Sequence, residues 1–248
     1  MISDASSDSP LLVLNAAEER LQVVLGYGSE LLCAREQRAP ARGITLLPEG
    51  IQQCLQESGL QVSDLAGIAC VRGPGAFTGL RVSLSIALGL SQGADLPTCG
   101  IDYLPLIAEI PCRTVSSELW VMTHARINTV NVQGFTFQSG QGVKGLNEPA
   151  SLFLEQAGQL LQERPGPICL VGSGLRRNMD YWRRCLPQAS FLDQIWDKPS
   201  ASTLLWLASR ESFYRQAIQP LYLRPSEAQV NLSRFAAWRG VYPPVAGE

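Results

Sequence analysis

Residues 71–93, VRGPGAFTGLRVSLSIALGLSQG, run a glycine-rich turn straight into a long apolar segment, and this junction restricts the fold more than any other stretch. Gly67 to Val71 (GIACV), just before it, has the length and composition of a buried strand. In the turn, Gly73, Gly75 and Gly79 permit positive φ or a close backbone approach, while Pro74 fixes one φ and removes one donor. Leu80 to Gln92 contains no proline and predicts a helix. At 100° per residue, Leu80, Leu84, Ala87 and Leu88 share one face and Val82, Ile86 and Leu90 another. Only Arg81, Ser85, Gly89 and Gln92 form a polar or small strip. A helix apolar on two faces is expected to be buried on two sides, one in its own core and one against a neighbour.

Such a turn can cradle an anion, because unpaired N–H groups and the positive end of the helix dipole converge there. Gly73, Pro74, Gly75, Thr78, Gly79 and Arg81 are therefore the candidate anion or nucleotide contacts. A tight strand-to-helix connection explains the same residues. The turn is neither GxxxxGK[ST] nor GxGxxG, and no lysine lies nearby to reach a phosphate. Arg72 and Arg81 bracket it and can meet an anion or a carboxylate; for Arg81 a surface salt bridge is an equal expectation.

In chain order, Leu11 to Asn15, Leu21 to Gly26 and Glu30 to Arg35 are three short apolar runs with turn-sized gaps, which predicts an antiparallel meander. Leu47, Ile51, Cys54 and Leu55 then mark an amphipathic helix, with Pro48 in its first turn and Gly59 near its end. The second half repeats the order. Leu119 to Thr123, Thr129 to Phe135 and a weaker run near Val143 precede a helix over Leu152 to Gln162, a strand over Ile168 to Val171 and a helix over Thr203 to Arg215. Two tandem β-β-β-α-β-α units predict an α/β protein with two similar lobes, at residues 11–105 and 106–225. Residues 1–10 and 226–248 are expected to be tails, the first of them disordered. Trp206, Phe213 and Tyr214 on the last helix are expected to be core and lobe-contact residues rather than a stacking platform.

With 20 basic against 22 acidic residues, the net charge of −2 gives no footprint for wrapping a nucleic acid unaided. Seven scattered cysteines with no CxxC read as buried free thiols, the usage expected in a reducing cytosol. The opening MISDASSDSP has neither the basic nor the apolar region of a secretion signal, and no apolar run approaches the roughly 20 residues of a membrane span. A cytoplasmic protein with no membrane role is the expectation.

The segment RGPGAFTGLR resembles the signature of the bacterial TsaB (YeaZ) family, with GIDYLPLIA (100–108) and PLYLRP (220–225) placed as in that family. The resemblance implies an actin-like/Hsp70/sugar-kinase (ASKHA) fold and a role in tRNA threonylcarbamoyladenosine synthesis. In that superfamily, the first hairpin of each lobe carries a carboxylate that holds a metal ion or a water near the phosphates. Here Asn15 stands at the first such position and His124 at the second, and Ala39 to Gly43, with Arg42, replaces a segment that usually holds a histidine. An amide does not neutralise a divalent cation, so a Mg-nucleotide site is not expected. His124 is the only histidine, which removes any HxxxH or HExxH pair; its expected place is inside a lobe, hydrogen-bonded to backbone. Ser173 and Ser85 have no other base and no GxSxG elbow, so serine catalysis and proteolysis are not expected.

The resemblance thus implies a non-catalytic subunit, with no catalytic residues and no metal site. It would pair with a TsaD-type protein and meet a TsaE-type ATPase and tRNA only through that complex, where ATP and Mg also act. The family's pairing surface maps to Leu46, Leu47, Ile51 and Leu55 on the first helix and to Leu80, Leu84, Ser85 and Leu88 on the second. The same surface can self-pair into a homodimer when the partner is missing. A homodimeric interaction protein with no tRNA role, or a weak kinase-like ATPase, is the alternative.

Overall fold

The computed structural model describes residues 9–38 and 43–223. Strand β1 (Leu11–Asn15) is buried along its whole length, because it is paired on both edges and covered on both faces of its sheet. It runs antiparallel to β2 (Arg20–Tyr27) and parallel to β4 (Gly67–Gly73). With β3 (Glu30–Arg38) and β5 (Thr98–Asp102) they form a sheet in the order β3-β2-β1-β4-β5. The expected meander and the order that follows it are observed, helix α1 (Gly43–Glu57) preceding β4 and helix α2 (Phe77–Ala94) following it. The unit then continues into β5 and a short helix α3 (Tyr103–Ala108), from the segment GIDYLPLIA.

The second sheet has β6 (Glu118–Arg126), β7 (Thr129–Gln138), β8 (Gly142–Gly145), β10 (Ile168–Val171) and β11 (Ser190–Phe191) in the order β11-β10-β6-β7-β8. An additional strand, β9 (Ala150–Phe153), pairs with β7. The helix expected from Leu152 therefore begins at Leu154, as α4 (Leu154–Gln162), because Leu152 and Phe153 are held in the ladder. Helices α5 (Ser173–Arg177) and α6 (Met179–Cys185) follow β10. The last helix, α7 (Ala201–Ala208), is capped by Ser200 and ends before the expected Arg215. Phe213 lies instead against Gly67, where a β-carbon would stand 2.6 Å from its ring, and Tyr214 exchanges two backbone hydrogen bonds with Thr98. Trp206 stays on α7, half-buried.

The strand period of two sorts the core into layers. Leu11, Val13, Ala69 and Val71 point to one side of the first sheet and meet Leu119, Val121, Phe135 and Val171 of the second, with α3 and the Leu204, Leu205 and Ala208 face of α7 between them. Leu12, Leu14, Ile68 and Cys70 point the other way and are covered by α1 and α2. Trp120, Met122, Val130 and Leu170 are covered likewise by α4 and α6. The boundary read at 105/106 falls inside α3, and α7, from the second half of the sequence, packs on β1, β2 and β3.

Other expectations need correction. Pro10 is buried, and its carbonyl accepts the Ala66 amide at 2.8 Å, so the fold begins within the expected tail. Helix α1 starts earlier than its apolar pattern, which puts Pro48 in its second turn and leaves one carbonyl of that helix without its donor. Cys33 and Cys54 are not free: a disulfide joins them, β3 to α1, across a Cα separation of 5.4 Å. Cys70, Cys99, Cys112, Cys169 and Cys185 are free, and burial pushes the Cys70 thiol up to about 12. The remaining tail residues and the Arg42 segment lie outside the described residues. Among the described residues, no helix is long and apolar enough to cross a membrane.

Candidate functional site

The glycine turn is shaped by what it touches. Gly73 takes φ +123°, and a β-carbon on Gly75 would stand 2.8 Å from the Ala17 α-carbon. Gly79 presses in the same way on the Ala16 carbonyl, and the Ala76 amide donates to the Ala17 carbonyl at 2.7 Å. The glycines thus seat the first turn of α2 on the β1–β2 connection. Pro74 is buried within the turn and Thr78 is exposed on α2. Arg72 meets the carboxylate of Asp102 at 2.6 Å. Arg81 makes no ion pair with the described residues; its guanidinium lies 4.0 Å over the Phe77 ring and its Nε donates to the Tyr222 hydroxyl at 3.2 Å.

The β1–β2 connection forms one wall of a cleft of about 800 Å³. Ala17, Glu18, Glu19 and Ala76 line it from the first sheet's side, and His124, Ser173, Arg177 and Asp197 from the second's. Glu18 Oε1 accepts the Ser173 hydroxyl and Oε2 accepts the Tyr103 hydroxyl at 3.0 Å. Burial raises the Glu18 carboxyl pKa, against the lowering effect of the two hydroxyls. Glu19 is paired with Arg38 at 2.9 Å and with Arg177, and the Arg38 hydrogen bond leads in holding its pKa below the usual range. Asp197 accepts the Gly172 amide at 2.8 Å and Arg176 at 2.7 Å. All five cationic side chains lining the cleft, Arg20, Arg38, Arg176, Arg177 and Lys198, are ion-paired.

Of the three departures from the resembled pattern, Asn15 and His124 lie among the described residues and have different fates. Asn15 is buried and structural: its Nδ2 donates to Gln22 Oε1 at 2.8 Å and its Oδ1 accepts the Ala17 amide at 3.0 Å. His124 lines the cleft, half-buried, and its backbone amide donates to Ser173 Oγ at 2.9 Å. The backbone hydrogen bond expected for its ring is not made; Nδ1 is buried without a partner. Burial first, then the nearby Arg177, lowers its pKa. Mg²⁺ does not fit here. Asn15 is neutral and tied up, Glu18 and Glu19 already have their donors, and no three metal-ligating side chains cluster among the described residues. Ser173 lines the cleft, but Glu18, Glu19, Tyr103, Arg177 and Asp197 were not legible as a group. Adjacent carboxylates in a hairpin turn read as solvated, and apart from Arg38 their partners are 85 to 158 residues away.

The other feature is the outer face of α2. Arg81, Ser85, Gly89 and Gln92 are exposed as the strip predicts, and Leu88 joins them at 37% exposure. Leu84 is half-buried, as is Leu46 on α1. The expected contacts Leu47, Ile51, Leu55 and Leu80 are instead buried in the chain's own core, because α1 and α2 pack on the first sheet through them. The second side of α2 is thus a narrow strip of polar and small side chains edged by Leu84 and Leu88, rather than a second broad apolar face.

Known proteins resemble this chain in both sequence and fold. The family model described as TsaD, tRNA N6-adenosine threonylcarbamoyltransferase, matches residues 42–144. The tRNA threonylcarbamoyladenosine biosynthesis protein TsaB of Haemophilus influenzae is 36% identical over 121 residues, 48% of this chain and 51% of that one. TsaB of Escherichia coli is 35% identical over 104 residues, 40% of this chain and 42% of that one. The match thus spans about half the length of these curated relatives or less. In fold, the structure of YeaZ from Pseudomonas aeruginosa superposes with a TM-score of 0.71 at 22% identity, covering 87% of this chain and all of that one. The α/β architecture is therefore the observed one, and the chain is similar to TsaB proteins over part of its sequence and to YeaZ in its fold.

Proposed function

We propose that this chain is a non-catalytic TsaB-type subunit that binds a TsaD-type protein and supports formation of N6-threonylcarbamoyladenosine at position 37 of ANN-decoding tRNAs. The observation that carries the reading is the contrast between its two surfaces. The cleft's cationic donors are already consumed by internal carboxylates and the neutral Asn15 is buried outside its lining, whereas α2 presents a strip of polar and small residues edged by leucines. Small side chains let a second helix approach closely. Two helices packed on two from a partner give an interface of standard size, roughly 1,600 Å² in total. The names carried by the sequence relatives favour the tRNA pathway over an unrelated dimer.

In this reading the chain acts in the cytoplasm and binds no cofactor itself. ATP and Mg act in the complex, a TsaE-type ATPase joins through it, and tRNA contact is indirect. Alone, the chain self-pairs through the same face. The test is light scattering of the purified protein, alone and with the TsaD-type protein of the same organism, for wild type and Ser85→Glu. The expected result is a heterocomplex that Ser85→Glu weakens at least tenfold while leaving the circular dichroism unchanged. No complex with wild type, with or without nucleotide, moves the independent homodimer to the front.

A further inference from the structure

Four donors converge on the adjacent carboxylates of the β1–β2 connection. Ser173 and Tyr103 each give a hydroxyl to one oxygen of Glu18, and Arg177 and Arg38 each give a guanidinium to one oxygen of Glu19. Ser173 and Arg177 belong to α5, beside the second sheet, so their contacts cross the cleft, whereas Arg38 holds Glu19 from β3 of the first sheet. Hydroxyls and guanidinium groups around oxygens with charge to share are the surroundings of a bound polyanion. We infer that the cleft is an anion site occupied in cis, with Glu18 and Glu19 serving as the chain's own ligand and clasping the two sheets together.

Two further observations fit. The carboxylates are delivered on a rigid support, because Ala16 and Ala17 just before them are seated on Gly79 and Gly75. The Arg177 and Arg38 guanidinium groups have no carboxylate partner among the described residues other than Glu19, so neutralising Glu19 leaves two cations facing open cleft. A free oligophosphate competes for these donors only when the internal carboxylates are removed. This holds whether or not the chain pairs with a TsaD-type protein.

The experiment is calorimetric titration of inorganic tripolyphosphate into the full chain, for wild type, Glu19→Gln and Glu18→Gln/Glu19→Gln. Wild type is expected to give no saturable heat in the millimolar range. Glu19→Gln is expected to bind at least tenfold more tightly than wild type, and a second change, Arg177→Gln, to abolish that gain. Glu19 is partly exposed, so its variant is the one expected to fold even if the double variant does not. Wild-type binding as tight as the variant's, or a folded Glu19→Gln that binds no better than wild type, overturns the inference.

Discussion

The Ala76 amide donates to the Ala17 carbonyl at 2.7 Å, locking the first turn of α2 onto the connection that carries Glu18 and Glu19. The neighbouring Gly75 makes this approach possible, since any β-carbon there would overlap the Ala17 backbone. Gly75→Ala is therefore expected to destabilise the chain by about 1–3 kcal/mol, the cost of forcing extra atoms into a packed site. Gly89, on the same helix with open space around it, gives the control: Gly89→Ala should stabilise by about 0.5–1 kcal/mol. Urea denaturation of both variants checks the pair; equal effects would mean that the turn is not seated as described.

The Cys33–Cys54 bond closes a loop across a sequence separation of 21. Reduction should lower stability by about 3 kcal/mol, chiefly by freeing the unfolded chain. Peptide mapping under non-reducing conditions should find Cys33 and Cys54 linked. Cys70 and Cys99, fully buried thiols, should alkylate only on unfolding.

His124 is the only histidine, so its ring titration stands alone in an NMR spectrum. Burial and Arg177 lower its pKa in the fold, so the unfolded chain takes up its proton first as pH falls. Its contribution to stability is thus present above about pH 6.5, the unfolded value, and is lost as pH falls through the folded value. The midpoint should lie below 6.5, and His124→Gln should flatten the decline in stability from pH 7 to 5. Glu18 runs the opposite way: its raised pKa favours stability at low pH, lost as pH rises. The His124→Gln difference isolates the histidine from it.

Leu80 and Leu88, two turns apart on α2, separate folding from association. Leu80 is wholly buried, and Leu80→Ala is expected to cost about 2–5 kcal/mol of stability. Leu88 lies on the outer strip, and Leu88→Ala should change stability by no more than about 0.5 kcal/mol while weakening self-association or partner binding. Chemical denaturation and light scattering on the same samples give both readings. A Leu88→Ala protein that associates like wild type would remove α2 from the interface.

The elements were legible where periodicity was strong. β1 and β10 fall on their predicted residues because each is a continuous apolar run, and the exposed strip of α2 follows from its spacing alone. The apolar stripe of α1 was visible too, but periodicity cannot say whether a stripe faces the chain's own sheet or another protein; Leu47, Ile51 and Leu55 face the sheet. β9 was hidden because Leu152 and Phe153 continue the helical pattern of α4, and only pairing with β7 draws them out. The cleft was the least legible part. Glu18 and Ser173 are 155 residues apart and each looks ordinary in its own segment.

Tyr103, Leu104, Leu106 and Ile107 of α3 and Leu204 and Leu205 of α7 fill the space between the two sheets. Neither half of the sequence therefore owns its inner surface. A fragment ending near residue 105 would lack α7, which roofs β1 and β2, and would lay bare an aliphatic sheet face; one beginning there would lose the strands that α7 packs on. The two halves with their repeated strand order thus depend on each other for burial. Splitting or shuffling them as modules would yield aggregating halves rather than working parts.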